Sequence, residues 1–228
     1  MQCTVCGGVN FNQSDVLWDE LIKDWQLNPI EIEYINRQQG KFCTDCSSNV
    51  RSIALANSIR SYLKKTDFLA NLATMSDFQN LAILELNGAG NLTHTLRHFP
   101  GHVYKEYPDV DMNNIPFPDN TFDMVIHSDS LEHILNPVNA LKECKRILKK
   151  GGALCFTVPV IIGRLSRSRD GLPKSYHGNP GSGEDDLSVK TEFGADFWTY
   201  IFEAGFTDVL ISSFDYPAGL SLMAINHR

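Results

Sequence analysis

From residue 80 onward, short apolar runs alternate along the chain with segments of helical character. The runs "LAILEL", "FDMVIHS" and "ALCFTVPV" are typical of strands that are buried on both faces of a sheet. The segments "LTHTLRHF" and "NPVNALKECKRILKKGG" between them read as helices, and "HVYKEY" reads as a further strand. Strands separated by crossover helices predict a doubly wound α/β fold with a mostly parallel, Rossmann-like sheet.

The final part of the chain departs from this alternation. A predicted helix, "EFGADFWTYIFEAGF", is followed by two strands, "DVLISSF" and "LSLMAIN", which are joined only by "DYPAG". A connection this short cannot cross over the sheet, so the last strand is predicted to run antiparallel.

Residues 1–50 have a different pattern, in which two helical segments lie between pairs of cysteines. "SDVLWDELIKDW" predicts a helix with Ser14 or Asp15 as N-cap. "NPIEIEYINRQQG" predicts a helix that follows the N-cap Asn28 and stops at Gly40. A third helix, "NVRSIALANSIRSYLKK", leads towards the α/β part. We therefore predict a helical module over residues 1–50, connecting helices over 51–79 and an α/β domain over 80–228.

Four of the six cysteines form two CxxC pairs in this module, Cys3 with Cys6 and Cys43 with Cys46. Two such pairs can surround one ion with four thiolates, which leaves no open coordination position and favours a structural zinc site. Redox activity or chance pairing is the alternative, because the gap between the pairs is longer than in a compact zinc ribbon.

The charge balance limits the classes of partner. The formal net charge is −7, whereas a protein that binds nucleic acid normally presents a basic face to the phosphates. Nucleic acid is therefore a disfavoured substrate. No apolar run approaches the length of a membrane span, and the start "MQCTVCGG" does not resemble a secretory signal, so we expect a cytoplasmic protein. The pattern makes no prediction about the oligomeric state.

The corner "ELNGAG" follows the first strand of the α/β domain, where ligands of open α/β sheets bind. Gly88 and Gly90 allow unusual backbone angles and a close approach of a ligand, although a tight turn would explain them equally well. Glu106 lies at the end of the second strand, the position from which a carboxylate binds ribose hydroxyls. A phosphate-binding signature is missing and Glu85 flanks the loop, so the corner favours a nucleoside without phosphate.

Three segments, "ILELNGAG", "PFPDNTFDMVIHSDSLEHI" and "LKECKRILKKGGALCFTVP", resemble successive motifs of class I S-adenosylmethionine-dependent methyltransferases, in particular the type 11-like group. The resemblance covers residues 81–160 and implies S-adenosylmethionine as cofactor. The sequence departs from the family twice. One glycine of the first motif is missing near Asn87, and only four residues separate Glu106 from Asp111, so the sheet is expected to be trimmed on that side.

The resemblance also implies roles for individual residues around the cofactor. The loop after the first strand would wrap the methionine portion and the ribose edge, Glu106 would hold the ribose hydroxyls, and the next segment would contact adenine. The end of the "FDMVIHS" strand would line the methionine side. The implied cofactor residues are Glu85, Asn87, Gly88, Gly90, Glu106, Asp111, Met112, His127 and Ser128.

Residues 160–194 form a polar segment that is too long for a plain connector and follows the last core strand before the final helix. Its arginines Arg164, Arg167 and Arg169 suggest an anionic group on the acceptor, and a solvated surface loop is the alternative. His177 is the first candidate for a general base, with Tyr176 beside it. His127 and His133 compete for that role.

These observations favour an enzyme that transfers a methyl group from S-adenosylmethionine to a small-molecule or carbohydrate-like acceptor. Two alternatives remain open at this point. One is an RNA methyltransferase whose cysteine module docks on RNA, and the other is a scaffold protein that binds the cofactor without turnover. A dehydrogenase would need a fuller glycine fingerprint.

Overall fold

The computed structural model describes residues 1–176 and 187–227. The N-terminal part contains a two-stranded antiparallel sheet and four helices. Their bounds are β1 Phe11–Gln13, α1 Asp19–Asp24, α2 Pro29–Gly40, β2 Lys41–Cys43, α3 Val50–Tyr62 and α4 Leu69–Leu72.

A six-stranded sheet, a three-stranded sheet and crossing helices make up the regular structure in the rest of the described chain. In chain order the elements are β3 Ile83–Leu86, α5 Leu92–Leu96, β4 His102–Lys105, β5 Phe122–Ser128, α6 Pro137–Ile147, β6 Leu148–Thr157, β7 Val160–Ile161, β8 Arg167–Ser168, β9 Thr191–Gly194, α7 Thr199–Glu203, β10 Leu210–Phe214 and β11 Gly219–Ile225.

The order of strands in the main sheet is β10-β11-β6-β5-β3-β4. Strands β4, β3, β5 and β6 are mutually parallel, and β11 is antiparallel to both β6 and β10. The predicted doubly wound sheet with an antiparallel last strand is thus confirmed. Strand β4 forms one edge, which agrees with the predicted trimming after Glu106.

Alternating side chains of the parallel strands reach opposite faces of the sheet. Leu84, Val125 and Leu154 belong to a buried cluster that includes α6 and α7 residues. Ile83 and Met124 belong to a second cluster with α3, which packs against β6, β10 and β11. The same second cluster includes the N-terminal residues Cys3, Val5 and Cys43, so the cysteine-bearing segments share a core with the sheet.

Two predicted helix boundaries were wrong. Helix α1 begins at Asp19 with Trp18 as N-cap, because the Asn36 side-chain oxygen binds the backbone N–H groups of Val16 and Leu17 and holds the preceding segment extended. The segment "TEFG" forms strand β9, and the helical part near it is the shorter α7. Helix α2 has the predicted capping box between Asn28 and Glu31.

Part of segment 160–194 folds into a three-stranded sheet in the order β7-β9-β8. Ile161 and Val189 from this segment pack with Leu21, Trp25 and Tyr34 of the N-terminal helices. The segment therefore holds α1 and α2 close to the carboxyl ends of the central strands. Within residues 1–176 and 187–227, every helix is too short or too polar to cross a membrane.

Candidate active site

The loop after β3 has the unusual backbone that the sequence suggests. Asn87, Gly88 and Gly90 all have positive φ angles, of 59°, 75° and 58°. Asparagine is one of the few residues with a side chain that visit this left-handed region readily, so the altered glycine motif still forms a tight corner. Asn87 Oδ1 also accepts the backbone N–H of Tyr107 at 2.9 Å, which ties the loop to the end of β4.

Glu85 supports this loop from below. It is fully buried, and one carboxylate oxygen accepts the Ala89 N–H at 2.7 Å and the Thr93 hydroxyl. The other oxygen lies 2.7 Å from His102 Nε2. The predicted wrapping of the cofactor by Glu85 is corrected accordingly, because its carboxylate is occupied by the loop and by β4.

A cleft of about 570 Å³ opens above the loop, at the carboxyl ends of the parallel strands. It brings together four of the predicted cofactor residues: Asn87, Glu106, Asp111 and Met112. Gly88 and Gly90 shape the loop beside it. Its other wall follows β5 and includes Asp129, Ser130, Ile134 and Leu135.

The two carboxylates on the wall next to β4 differ in their surroundings. Glu106 is exposed, and its Oε2 accepts a hydrogen bond of 2.6 Å from the Tyr104 hydroxyl. This bond raises the pKa of Tyr104 to about 12, so the phenol stays protonated and orients the carboxylate. Asp111 Oδ1 accepts the Asn113 N–H at 2.8 Å.

The cleft has the properties that S-adenosylmethionine requires. Its volume lies in the range of sites for ligands of this size. Carboxylates at Glu106 and Asp111 suit hydroxyl and amine donors, while Met112 and Ile134 provide apolar surface for a purine ring. An acidic wall also suits a cationic sulfonium better than a phosphate.

Two predicted residues at the end of β5 do not line the cleft. His127 is fully buried, and its ring stacks on Phe156 with centroids 4.7 Å apart. Ser128 Oγ is hydrogen-bonded to Thr157 Oγ1 at 2.8 Å, across to β6. Their predicted contact with the methionine side is therefore corrected, since each side chain meets its cross-strand neighbour on β6, His127 on one face of the sheet and Ser128 on the other.

Burial lowers the pKa of His127 to about 4, an effect partly offset by the Glu132 carboxylate. Between pH 6.5 and 4 the unfolded chain binds a proton at this residue and the folded chain does not. The free energy of unfolding therefore decreases as the pH is lowered through that window. When the pH is lowered from 7.5 to 4.5, we expect the free energy of unfolding in urea to decrease by about 2–3 kcal/mol more in the parent than in His127→Leu. The exposed-site variant His94→Leu should keep the parent's dependence, and parallel curves for parent and His127→Leu would contradict the assignment.

The three arginines assigned to an anionic acceptor are paired within the protein. Arg164 binds both carboxylate oxygens of Glu31 at 2.7–2.8 Å and the Trp25 carbonyl. Arg167 and Arg169 both bind Glu192. The predicted role in substrate binding is corrected, because these guanidinium groups hold segment 160–194 together and onto the N-terminal helices.

Of the two candidates for acid–base roles, Tyr176 lies in a bridge to Ser188 and is partly buried. His177 lies outside the described residues. His133, the competitor, lines the cleft, and its Nδ1 lies 3.3 Å from the Ser188 carbonyl.

The four cysteines of the CxxC pairs meet at one point. Their sulfur atoms all lie within 4.8 Å of one another, and the pairs Cys3–Cys46 and Cys6–Cys43 are each 3.7 Å apart. Thiolates of a tetrahedral zinc site, each about 2.3 Å from the metal, are about 3.8 Å apart. The Cys3 thiol hydrogen-bonds to Cys46 and lowers the pKa of Cys46 to about 5.

The two cysteine turns repeat one backbone pattern. In each turn, the backbone carbonyl of the first cysteine accepts a hydrogen bond from the N–H of the residue four positions later, Gly7 or Ser47. That residue has a positive φ. The second turn also contacts the cleft loop, because the Ser47 carbonyl accepts Asn91 Nδ2 at 2.7 Å next to Gly90. The cysteine cluster is therefore connected directly to the corner below the cleft.

Sequence reasoning missed one residue that joins the two parts of the molecule. Arg51, on α3, is 2% exposed and donates from Nη2 to Asp129 on the wall of the cleft. The sequence places it only near the cysteines, and its partner lies 78 positions away. Neither periodicity nor a motif connects the two.

Comparison with known proteins identifies the central segment. Residues 88–156 match the family described as "Methyltransferase domain". The ubiquinone/menaquinone biosynthesis C-methyltransferase UbiE of Enterobacter sp. is 39% identical over 82 residues, which are 35% of this chain and 32% of that protein. An uncharacterized methyltransferase of Schizosaccharomyces pombe is 54% identical over 55 residues, 24% of this chain and 16% of that protein.

UbiE of Salmonella arizonae is 36% identical over 102 residues, 43% of this chain and 38% of that protein. The chain thus spans less than half the length of each of these relatives. Among solved structures, the DszA carbon methyltransferase is 15% identical with a TM-score of 0.46, over 78% of this chain and 53% of that one.

Proposed function

Since the chain carries a methyltransferase domain of the class I S-adenosylmethionine-dependent family, we propose that it transfers the cofactor's methyl group to a small-molecule acceptor. The observation that carries this proposal is the cleft at the ends of β3 and β4, which is lined by Asn87, Glu106, Asp111 and Met112. The sequence motifs imply cofactor roles for all four residues, and the fold places them on one surface.

The bound cofactor would supply an electrophilic methyl group on a sulfonium. Glu106 would accept hydrogen bonds from the ribose hydroxyls, with its carboxylate oriented by Tyr104. Asp111 would accept from the adenine amine, and Met112 would cover the ring. The loop of Asn87 to Gly90 would hold the remainder of the cofactor against the sheet, so that alignment of donor and acceptor provides most of the rate.

The acceptor is proposed to be a small molecule because the net charge of −7 opposes a polyanionic substrate. The three arginines of segment 160–194 are paired with Glu31 and Glu192, so they do not offer a free basic surface to a polyanion. The quinone methyltransferases among the relatives match only a third or so of this chain and so leave the acceptor's identity to experiment.

We also propose that Cys3, Cys6, Cys43 and Cys46 bind a structural zinc ion. Sulfur separations of 3.7 Å support this assignment, as does the repeated turn that presents both pairs. Four thiolate ligands would leave the metal without an open position for catalysis.

Calorimetric titration with S-adenosylmethionine and S-adenosylhomocysteine tests the cofactor assignment. Glu106→Ala should weaken binding of both by about 10- to 100-fold, since hydrogen bonds to a charged group contribute about 1.5–3 kcal/mol. The matched variant Glu20→Ala removes an exposed carboxylate on α1 and should bind as the parent does. Equal affinity of Glu106→Ala and the parent would refute the ribose assignment, and a parent that binds neither ligand would refute the proposed function.

A further inference from the structure

A second, smaller cavity lies between the N-terminal helices and the segment that follows β6. Its lining comes from residues 16–27 in and around α1, from α2 and α3, and from residues 159–161, and its volume is about 50 Å³. Most of the lining is apolar and includes Trp18, Leu21 and Trp25. Among the described residues that line it, Arg51 is the only charged one. We call this cavity the arginine pocket.

Arg51 is the unusual member of this lining. Its side chain is 3% exposed, and one nitrogen, Nη2, donates to Asp129. The two other nitrogens, Nε and Nη1, are buried and have no hydrogen-bond partner among the described residues. Buried guanidinium donors without partners are costly, whereas an anionic oxygen placed beside them would form a strong, charge-assisted bond.

The arginine pocket adjoins the cofactor cleft. Asp129 lines the cleft, and its hydrogen bond with Arg51 forms the boundary between the two cavities. Gln38 Nε2 donates to the Val160 carbonyl at 3.0 Å and joins α2 to β7 beside the pocket. A carboxylate bound to Nε and Nη1 of Arg51 would therefore lie close to Asp129, on the side of the pocket nearest the cleft.

We propose that the arginine pocket binds the carboxylate end of the methyl acceptor. The apolar lining would contact the carbons next to the carboxylate, and Arg51 would bind its oxygens. A volume of about 50 Å³ is several times that needed for one water molecule, enough for a carboxylate and a few carbons. The acceptor is thus a small organic acid, and the part that receives the methyl group would extend past the Arg51–Asp129 pair into the cleft. This inference rests on the proposed methyl transfer.

Butyrate is a suitable probe, with neutral butyramide as the matched control of the same shape. Binding can be followed in ¹H–¹⁵N spectra by the indole N–H signals of the three tryptophans. Trp18 and Trp25 line the pocket, and Trp198 lies on the surface near α7 and serves as internal reference. We expect butyrate to shift the signals of Trp18 and Trp25 saturably, and butyramide to bind at least tenfold more weakly.

Variants of the pocket test the role of Arg51. Arg51→Gln should weaken butyrate binding at least tenfold, whereas Arg37→Gln, an arginine of α2 outside the pocket lining, should leave it unchanged. If Arg51→Gln does not fold, Gln39→Phe gives an independent test, because it fills the pocket and keeps the pair of Arg51 with Asp129. Butyrate binding equal to that of butyramide, or unaffected by both Arg51→Gln and Gln39→Phe, overturns the proposal.

Titration of the same samples with S-adenosylhomocysteine separates this inference from the proposed function. Gln39→Phe should bind S-adenosylhomocysteine within about threefold of the parent. If the parent binds S-adenosylhomocysteine but not butyrate, the arginine pocket is not a carboxylate site and the methyltransferase proposal stands. If it binds butyrate but not S-adenosylhomocysteine, the pocket is a carboxylate site and the proposed function fails.

Discussion

Replacing Cys46 with serine is expected to release the metal and to lower the melting temperature by about 20–40 °C. A structural zinc site of this kind contributes about 10 kcal/mol or more, which is comparable to the whole stability of a domain. For a chain of this length, each kcal/mol lost lowers the melting temperature by about 2–4 °C. The loss reaches the sheet because Cys3 and Cys43 are fully buried in the same cluster as Ile83 and Met124.

Metal analysis and differential scanning calorimetry on parent and variant check this prediction. The parent should contain one zinc per chain, and Cys46→Ser should contain much less. Cys155→Ala is the matched control, since it removes a buried thiol outside the cluster. It should keep the metal and lose only a few degrees. A parent that carries no zinc when prepared without chelators, or a Cys46→Ser protein as stable as the parent, would contradict the zinc assignment.

The same variant should lose affinity for S-adenosylhomocysteine as well as stability. Cys46 precedes Ser47, whose carbonyl holds Asn91 beside Gly90, and α3 with Arg51 follows within a few residues. Loosening this turn therefore releases one side of the cleft loop. The metal site would act on the cofactor site through backbone contacts, although the two sites share no ligand.

Much of the sheet could be predicted because its strands carry their own signal. Strand β5 has the bounds of the predicted "FDMVIHS" segment, and the short connection before β11 indicated its antiparallel direction. The left-handed corner at Asn87 was also foreseeable, since residue type and backbone angle are local properties. These features depend on neighbours within a few positions along the chain.

The errors concern contacts between residues that are distant along the chain. The local sequence around Arg164 suggests an anionic substrate as its partner. Its actual partner, Glu31, lies in a helix 133 positions earlier, which the local pattern does not reveal. His127 was assigned to the cleft because an end-of-strand position does not reveal which neighbour its side chain meets, here Phe156. No motif or periodicity in the sequence marks Arg51 as a functional residue. A charged group can be assigned to substrate only after its internal partners are known.

The internal partners of Glu85 likewise predict that its substitution has a large effect on stability, although Glu85 does not line the cleft. Glu85→Ala would leave the Thr93 hydroxyl and the His102 ring without this acceptor in the protein interior. The Ala89 N–H would lose one of its two acceptors and keep only Thr93 Oγ1, at 3.0 Å. Unsatisfied buried donors cost about 1–3 kcal/mol each, so we expect a loss of about 3–5 kcal/mol in the free energy of unfolding. Chemical denaturation measures this loss directly.

Binding should suffer in parallel, because the cofactor would then have to order a loop that Glu85 normally holds in its left-handed conformation. An ordering cost of about 1–3 kcal/mol corresponds to about 5- to 150-fold weaker binding of S-adenosylhomocysteine. Glu85→Gln keeps an oxygen for the Ala89 N–H and should lose less in both measurements. Glu106→Ala should instead weaken binding while it leaves the free energy of unfolding close to that of the parent, since Glu106 is exposed. If Glu85→Ala instead bound S-adenosylhomocysteine as the parent does, the loop backbone would keep its conformation without Glu85. The hydrogen bonds of Glu85 would then not be needed for cofactor binding.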